Sequence, residues 1–101
     1  MTFEEFKKIV VNRMKDRKFF IQEAKENALS VEKYCSLYFD YMNTMDNDVQ
    51  KAYKYVCKGE SIYSATEPLL LIWSYWETIP LSKKYLYKRR IMDFIKSKIS
   101  S

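Results

Sequence analysis

The spacing of apolar residues between positions 31 and 45 most strongly limits the folds open to this chain. Such residues recur there at steps of three or one, at Val31, Tyr34, Cys35, Tyr38, Tyr41, Met42 and Met45. These steps place them on one face of an α-helix, whereas a half-buried strand would alternate every second residue. Ser30 precedes the run and is predicted to cap the helix. We therefore expect an amphipathic helix with its tyrosines on the core side.

The residues before position 30 predict a first helix with one weak point. Thr2 and Glu5 have the spacing of a capping box, and apolar residues at steps of three and four follow them. The charged residues 15–18 interrupt that apolar face. A long helix over residues 3–28 is expected, with a kink or break near Arg17.

A short third helix is predicted after Asn47. Asn47 and Gln50 again have capping-box spacing, and an apolar stripe follows them. Gly59, the single glycine of the chain, lies where a left-handed residue would end this helix. The third helix is therefore expected to stop just before Gly59.

The fourth and fifth predicted helices adjoin each other and differ sharply in character. The fourth, over residues 66–78 after Ser64, is apolar on nearly every side, so it is either enclosed by other helices or docked on a partner. Pro80 prevents its continuation, and Ser82 is predicted to cap the fifth helix over residues 83–98.

These patterns together predict an all-α fold, a small bundle of four or five helices in a single domain over residues 1–101. One glycine and two prolines in 101 residues suit helices better than turn-rich β structure. No signal peptide is visible, and the longest apolar run, residues 69–76, is far shorter than the roughly 20 residues of a membrane span. A cytoplasmic protein without a membrane partner is expected.

Catalytic chemistry is poorly supported. The chain has no histidine, which is the commonest general base and a frequent metal ligand. Cys35 and Cys57 form no CxxC motif, and both are expected to be buried free thiols. No glycine-rich loop is present to hold phosphate. The sequence predicts a protein that is not an enzyme and that has no metal, no cofactor and no small-molecule substrate.

The positive charge is concentrated at the end of the chain. Residues 81–101 hold seven basic residues and one acidic residue, whereas residues 1–80 hold 11 basic and 12 acidic ones. The whole excess of the net charge of +5 therefore lies in the last fifth of the sequence. Uniform positive charge of this kind favours an anionic partner, either nucleic acid or an acidic protein surface.

The apolar helix, tight turn and basic helix of residues 66–90 resemble the helix-turn-helix of phage and sigma-like transcription regulators. The resemblance lies in residues 81–90, LSKKYLYKRR, and in the apolar segment before them. It departs from that family in having Pro80 rather than glycine in the turn. The resemblance implies a DNA-binding regulator whose last helix enters the major groove.

The resemblance also implies roles for single residues. Lys83, Lys84, Tyr87 and Lys88 would face the groove, with Arg89 and Arg90 on phosphates. Tyr87 also falls on the core side of the helical wheel, so its role is open. The basic segment as a whole gives the predicted nucleic-acid-binding residues, which are Lys83, Lys84, Tyr85, Tyr87, Lys88, Arg89, Arg90 and Lys96.

The aromatic content favours a second function. Nine Tyr, six Phe and two Trp are many for this length, and large aromatic residues often dominate protein interfaces. The alternative hypothesis is an inhibitor of anti-defence or immunity type, encoded by a phage or mobile element. Such an inhibitor would act by protein–protein contact through its aromatic and basic surface. Trp73 and Trp76 are the candidate partner-binding residues, and a homodimer through the fourth helix is a further alternative.

Overall fold

The computed structural model describes residues 1–71 and 76–99 of the chain. Within these ranges there are six α-helices, a 3₁₀ turn over Trp76–Thr78 and no strand. The helices are α1 Phe3–Met14, α2 Lys18–Glu26, α3 Val31–Met45, α4 Asp48–Cys57, α5 Ile62–Leu70 and α6 Leu81–Ile99. The all-α prediction is confirmed, although the number and the bounds of the helices differ from those expected.

Helix α3 is the centre of the bundle and packs against α1, α2, α4 and α6. Its apolar face carries the most deeply buried tyrosines, Tyr34 and Tyr38, with Phe39 beside them. The hydroxyl of Ser30 accepts a hydrogen bond from the Lys33 amide at 3.2 Å, which is the predicted cap. The radius of gyration of 13.6 Å is close to the ~13 Å expected for a compact domain of this length.

The break predicted near Arg17 is confirmed, so residues 3–28 form the two helices α1 and α2 rather than one continuous helix. Helix α1 begins as expected, with the Thr2 hydroxyl accepting from the Glu5 amide at 3.2 Å. At its end the backbone of Arg17 is extended, and its amide donates to the Met14 carbonyl at 2.9 Å. After the break, α2 begins with a different side toward the core. Phe19 and Phe20 are buried, whereas residues 15–18 stay near solvent.

Helix α4 ends at Gly59 as predicted but begins differently. Gly59 has φ +105°, and the Glu60 amide donates to the Tyr55 carbonyl at 3.0 Å, a left-handed helix ending. At the other end, the side chain of Asn47 makes no capping bond. The Asp46 carboxylate instead accepts from the Asp48 amide at 3.0 Å.

The fourth predicted helix begins earlier than expected. Helix α5 starts at Ile62, so Ser64 is not its cap and Pro68 lies in its interior. In its first turns the buried Thr66 donates its hydroxyl to the Ile62 carbonyl at 2.5 Å. The rest of the predicted helix includes positions 72–75, which lie outside the described residues.

Helix α6 starts two residues before the predicted bound. The amides of Lys83 and Lys84 both donate to the Pro80 carbonyl at 3.0 Å, so Pro80 takes the capping position predicted for Ser82. In the described part of the chain, no helix is long and apolar enough to cross a membrane.

Candidate nucleic-acid interface

One side of α6 is fixed against the bundle. Ile91 and Ile95 are buried, and Phe94 lies with its ring centroid 5.6 Å from that of Tyr41. Tyr87 is half-buried on the same side, and its hydroxyl is hydrogen-bonded to that of Tyr38. The side chains of α6 are therefore divided between an inner side that packs on α3 and an outer side that faces solvent.

Two of the predicted DNA-binding lysines lie at the inner edge and are paired with acids from elsewhere. Lys88 contacts Glu23 at 3.1 Å and Glu26 at 3.0 Å, both on α2. Lys84 lies 3.6 Å from Glu77. Both ammonium groups also sit over the ring of Trp76, at 5.6 Å for Lys84 and 5.8 Å for Lys88. These two lysines consequently bind α6 to α2 and to the 3₁₀ turn.

The electrostatics of the Lys88 cluster follow from burial and pairing. Burial raises the pKa of Glu23, whose side chain is only 7% exposed, and pairing with Lys88 offsets this only in part. The hydrogen bond from Lys88 lowers the pKa of Glu26. Burial alone would lower the pKa of Lys88, but its bonds to Glu26 and Glu23 outweigh that effect and raise it.

Four other basic residues of α6, which are Lys83, Arg89, Arg90 and Lys96, are exposed to solvent. Tyr85, Arg89 and Lys96 fall at steps of four and seven along one row of the helix. Lys83 and Arg90, seven residues apart, form a second exposed row beside it. We call these residues the outer cationic face, which consists of Lys83, Tyr85, Arg89, Arg90 and Lys96.

The outer cationic face has little opposing charge. Within residues 1–71 and 76–99, Lys83, Arg89 and Arg90 form no salt bridge. Asp93 is the one acidic residue of α6, and it lies between the two rows. Tyr85 is 74% exposed, so its ring stands free beside these cations. The arrangement is suited to contact with an extended anionic surface.

The eight predicted nucleic-acid-binding residues are thus divided rather than brought together. Five of them form the outer cationic face, whereas Lys84, Tyr87 and Lys88 lie on the inner side with the contacts given above. Spacing within α6 already marked Tyr87 as inward. That spacing could not reveal the ion pair between Lys88 and Glu26, because Glu26 is 62 residues away in sequence.

Trp76, a predicted partner-binding residue, packs within the domain. Its ring lies 4.9 Å from Phe19 and 5.8 Å from Tyr87, between centroids, and it is half-buried. Its exposed edge opens on a cleft of about 440 Å³ that Glu23, Glu26 and Lys88 also line. Trp73, the other predicted partner-binding residue, lies outside the described residues.

Two exposed features of the structure were not predicted from the sequence. Leu86 and Met92 are exposed among the outer cations, where the helical wheel could have shown them. Cys57 is exposed, so the expectation of two buried thiols is wrong for Cys57 and right for Cys35. Cys57 is the last residue of α4, whose buried residues are Val49 and Ala52.

Cys35, the buried thiol, is shielded from solvent. Burial raises the pKa of Cys35 to about 12, so this thiol stays protonated at neutral pH and is a weak nucleophile. Among residues 1–71 and 76–99, no three Cys, Asp or Glu side chains are grouped in a way that could hold a metal ion.

Comparisons with protein-family models, with curated proteins and with solved structures give no match to this chain.

Proposed function

We propose that this chain is a non-catalytic cytoplasmic protein that binds the nucleic-acid backbone through the outer cationic face of α6. The observation that carries the proposal is the exposure of Lys83, Arg89 and Arg90 without a salt bridge to any described residue. Unpaired surface cations release condensed counterions when they contact phosphates, and each contact adds to affinity.

The dimensions of α6 suit this role. Its 19 residues make a rod of about 28 Å, which covers about eight base pairs of duplex. Tyr85 adds a ring and a hydroxyl that can contact sugar or phosphate. The outer cationic face can therefore follow one side of a duplex along most of the helix.

A regulator that reads bases through a helix-turn-helix remains a narrower form of this proposal. The face that the resemblance assigns to the groove includes Lys84, Tyr87 and Lys88. Those side chains contact Glu77, Tyr38 and the acids of α2. Base reading by that face would require these contacts to break, whereas backbone binding by the outer cationic face requires no rearrangement.

Charge reversal on the outer cationic face tests the proposal. Arg89→Glu/Arg90→Glu should weaken binding to a nonspecific duplex at least tenfold at low salt and lower the salt slope by about 2. Lys54→Glu/Lys58→Glu is the matched control, because it changes the net charge equally at exposed positions at the end of α4. Equal losses in both variants, or no binding by the wild type at low salt, would contradict the proposal.

The exposed apolar residues of α6 favour a second candidate, an inhibitor that binds an acidic protein through the same face. Tyr85, Leu86 and Met92 lie exposed beside Arg89, and Tyr, Met and Arg are enriched in protein interfaces. In that case Tyr85→Ala/Met92→Ala would abolish capture of one stoichiometric partner from nuclease-treated lysate. Duplex affinity would then be negligible in the wild type.

A further inference from the structure

A second positively charged concavity lies away from α6, between α1 and the first turn of α5. It has a volume of about 630 Å³, within the roughly 300–1,000 Å³ typical of ligand sites. Lys8, Asn12 and Lys15 contribute to it from one row of α1, at steps of four and three. Tyr63 closes it from α5. We call it the α1–α5 cleft.

The charge of the α1–α5 cleft is not balanced by its own lining. Arg13 is committed to α5, because its guanidinium contacts Glu67 at 2.7 Å and the Thr66 hydroxyl at 2.5 Å. Lys8 and Lys15 form no salt bridge with any residue that the structure describes. Glu32 is the one acidic residue in the lining. Two ammonium groups are thus available to an anionic ligand.

Tyr63 gives the α1–α5 cleft an exposed and oriented ring. The guanidinium of Arg13 lies 5.2 Å from the centroid of that ring and donates to the Tyr63 carbonyl at 3.3 Å. The guanidinium therefore packs over the ring, and the residue remains 66% exposed. An oriented aromatic ring in water is a stacking platform for a planar ligand.

We propose that the α1–α5 cleft binds a nucleotide, with the base stacked on Tyr63 and the phosphate held by Lys8 and Lys15. This combination favours a nucleotide as the ligand, because the ring can stack on a planar base and the two lysines can bind an adjacent phosphate. Asn12, between the lysines, supplies an amide that can hydrogen-bond the sugar or base. This site is separate from the outer cationic face and does not depend on the function proposed for α6.

The site is tested by titrating the 101-residue chain and following its backbone amide shifts. The ligands are adenosine monophosphate, adenosine, ribose 5-phosphate and a single-stranded oligonucleotide. Adenosine monophosphate should shift the amides of Lys8, Asn12, Lys15 and Tyr63, and should bind more tightly than adenosine or ribose 5-phosphate. Similar affinity for monophosphate and oligonucleotide would identify a free nucleotide as the ligand. A much higher affinity for the oligonucleotide would identify a single strand.

Substitutions in the α1–α5 cleft distinguish the contribution of stacking to nucleotide affinity from that of charge. Tyr63→Ala should weaken nucleotide binding about tenfold, whereas Tyr63→Phe should retain it. Tyr55→Ala, an exposed tyrosine on α4, is the matched control and should bind as the wild type does. Lys8→Gln/Lys15→Gln should weaken the binding of the phosphate-bearing ligands and leave the affinity for adenosine unchanged.

Three results would overturn the proposal: no amide shift in the cleft at millimolar nucleotide, equal binding by Tyr63→Ala and wild type, or ribose 5-phosphate binding as tightly as the nucleotide. The Arg89→Glu/Arg90→Glu variant shows whether nucleotide binding in the cleft is independent of the function proposed for α6. That variant should bind adenosine monophosphate normally even where it loses duplex affinity.

Discussion

Lys88 is the residue whose role differs most between sequence and structure. Its charge suggests a surface contact, yet it neutralises a buried carboxylate, Glu23, and at the same time packs on Trp76. Removing one partner of a buried pair leaves an uncompensated charge, which costs more than the pair itself contributes. Lys88 is therefore expected to stabilise the fold rather than to bind a ligand.

Lys88→Met should destabilise the protein by about 1–2 kcal/mol at neutral pH. Breaking a fully buried ion pair costs about 3–5 kcal/mol, and the loss should be smaller here because solvent screens the partly exposed lysine. Its side chain is 37% exposed. Urea unfolding measures the difference. Lys84→Met is the control and should change stability by no more than about 0.5 kcal/mol, since its partner Glu77 is 91% exposed.

The effect of Lys88→Met should shrink as the pH falls from about 7 to about 5. Without Lys88, the pKa of buried Glu23 rises further, so the folded variant takes up a proton before the unfolded chain does, and acid stabilises it. In the wild type the lowered pKa of Glu26 has its effect only in stronger acid, because that contribution to stability is lost as the pH falls below the ordinary carboxyl pKa of 4.5. A difference in stability that stays constant over this range would contradict the account.

The two cysteines should differ in reactivity. Cys57 is exposed, whereas Cys35 is fully buried with its pKa raised to about 12. A thiol reagent should therefore modify one thiol quickly in the native protein and the second only after unfolding, and Cys57→Ser should remove the fast phase. Two thiols reacting at one rate would show that the core around Cys35 opens readily.

At the scale of elements, two helix endings adopt left-handed backbone, but only one has the residue suited to it. Gly59 ends α4 at φ +105°, and Ala28 follows α2 at φ 55°. Ala28→Gly should raise stability by about 0.5 kcal/mol, because the relief of strain exceeds the added entropy of the unfolded chain. Gly59→Ala should lower it by about 1 kcal/mol, although the space around that site is open. Thermal unfolding of both variants measures this, and the same sign of change in both would contradict it.

The elements that sequence predicts well are those whose signals are local. Helix α3 follows from its apolar steps and its Ser30 cap, and the end of α4 follows from Gly59. The charged residues 15–18 likewise predict the break near Arg17, whereas no local signal predicts the early start of α5. Arg17 lies 3.7 Å from Glu67, and Thr66 accepts from Arg13. Contacts of this range leave no periodic signal in sequence, so the start of α5 was predicted wrongly.

The candidate site divides in the same way. Exposure of Arg89 and Arg90 follows from the wheel of α6 once its apolar side is known. The inward position of Lys84 and Lys88 cannot be read from the helical wheel, because their partners belong to the 3₁₀ turn and to α2. A count of charges along a segment therefore overstates how many of them face a ligand.

At the scale of the whole molecule, α6 gathers most of the charge excess on one edge of a bundle measuring 38 × 34 × 23 Å. The remainder of the chain is nearly neutral, so the field of the molecule is polarised toward the outer cationic face. A molecule of this kind approaches an anionic surface in one orientation. The homodimer predicted through the fourth helix stays a prediction, which light scattering against a monomer mass of 12.3 kDa decides.

The most direct test of the central claim is a titration of the labelled protein with a short DNA duplex at low salt, followed by amide and side-chain shifts. Signals of Lys83, Tyr85, Arg89 and Arg90 should move, while the Trp76 indole and the Lys88 ammonium stay in place. Shifts centred on Trp76 and Lys88 instead, or no shift at any residue of α6, would contradict the assignment of binding to the outer cationic face.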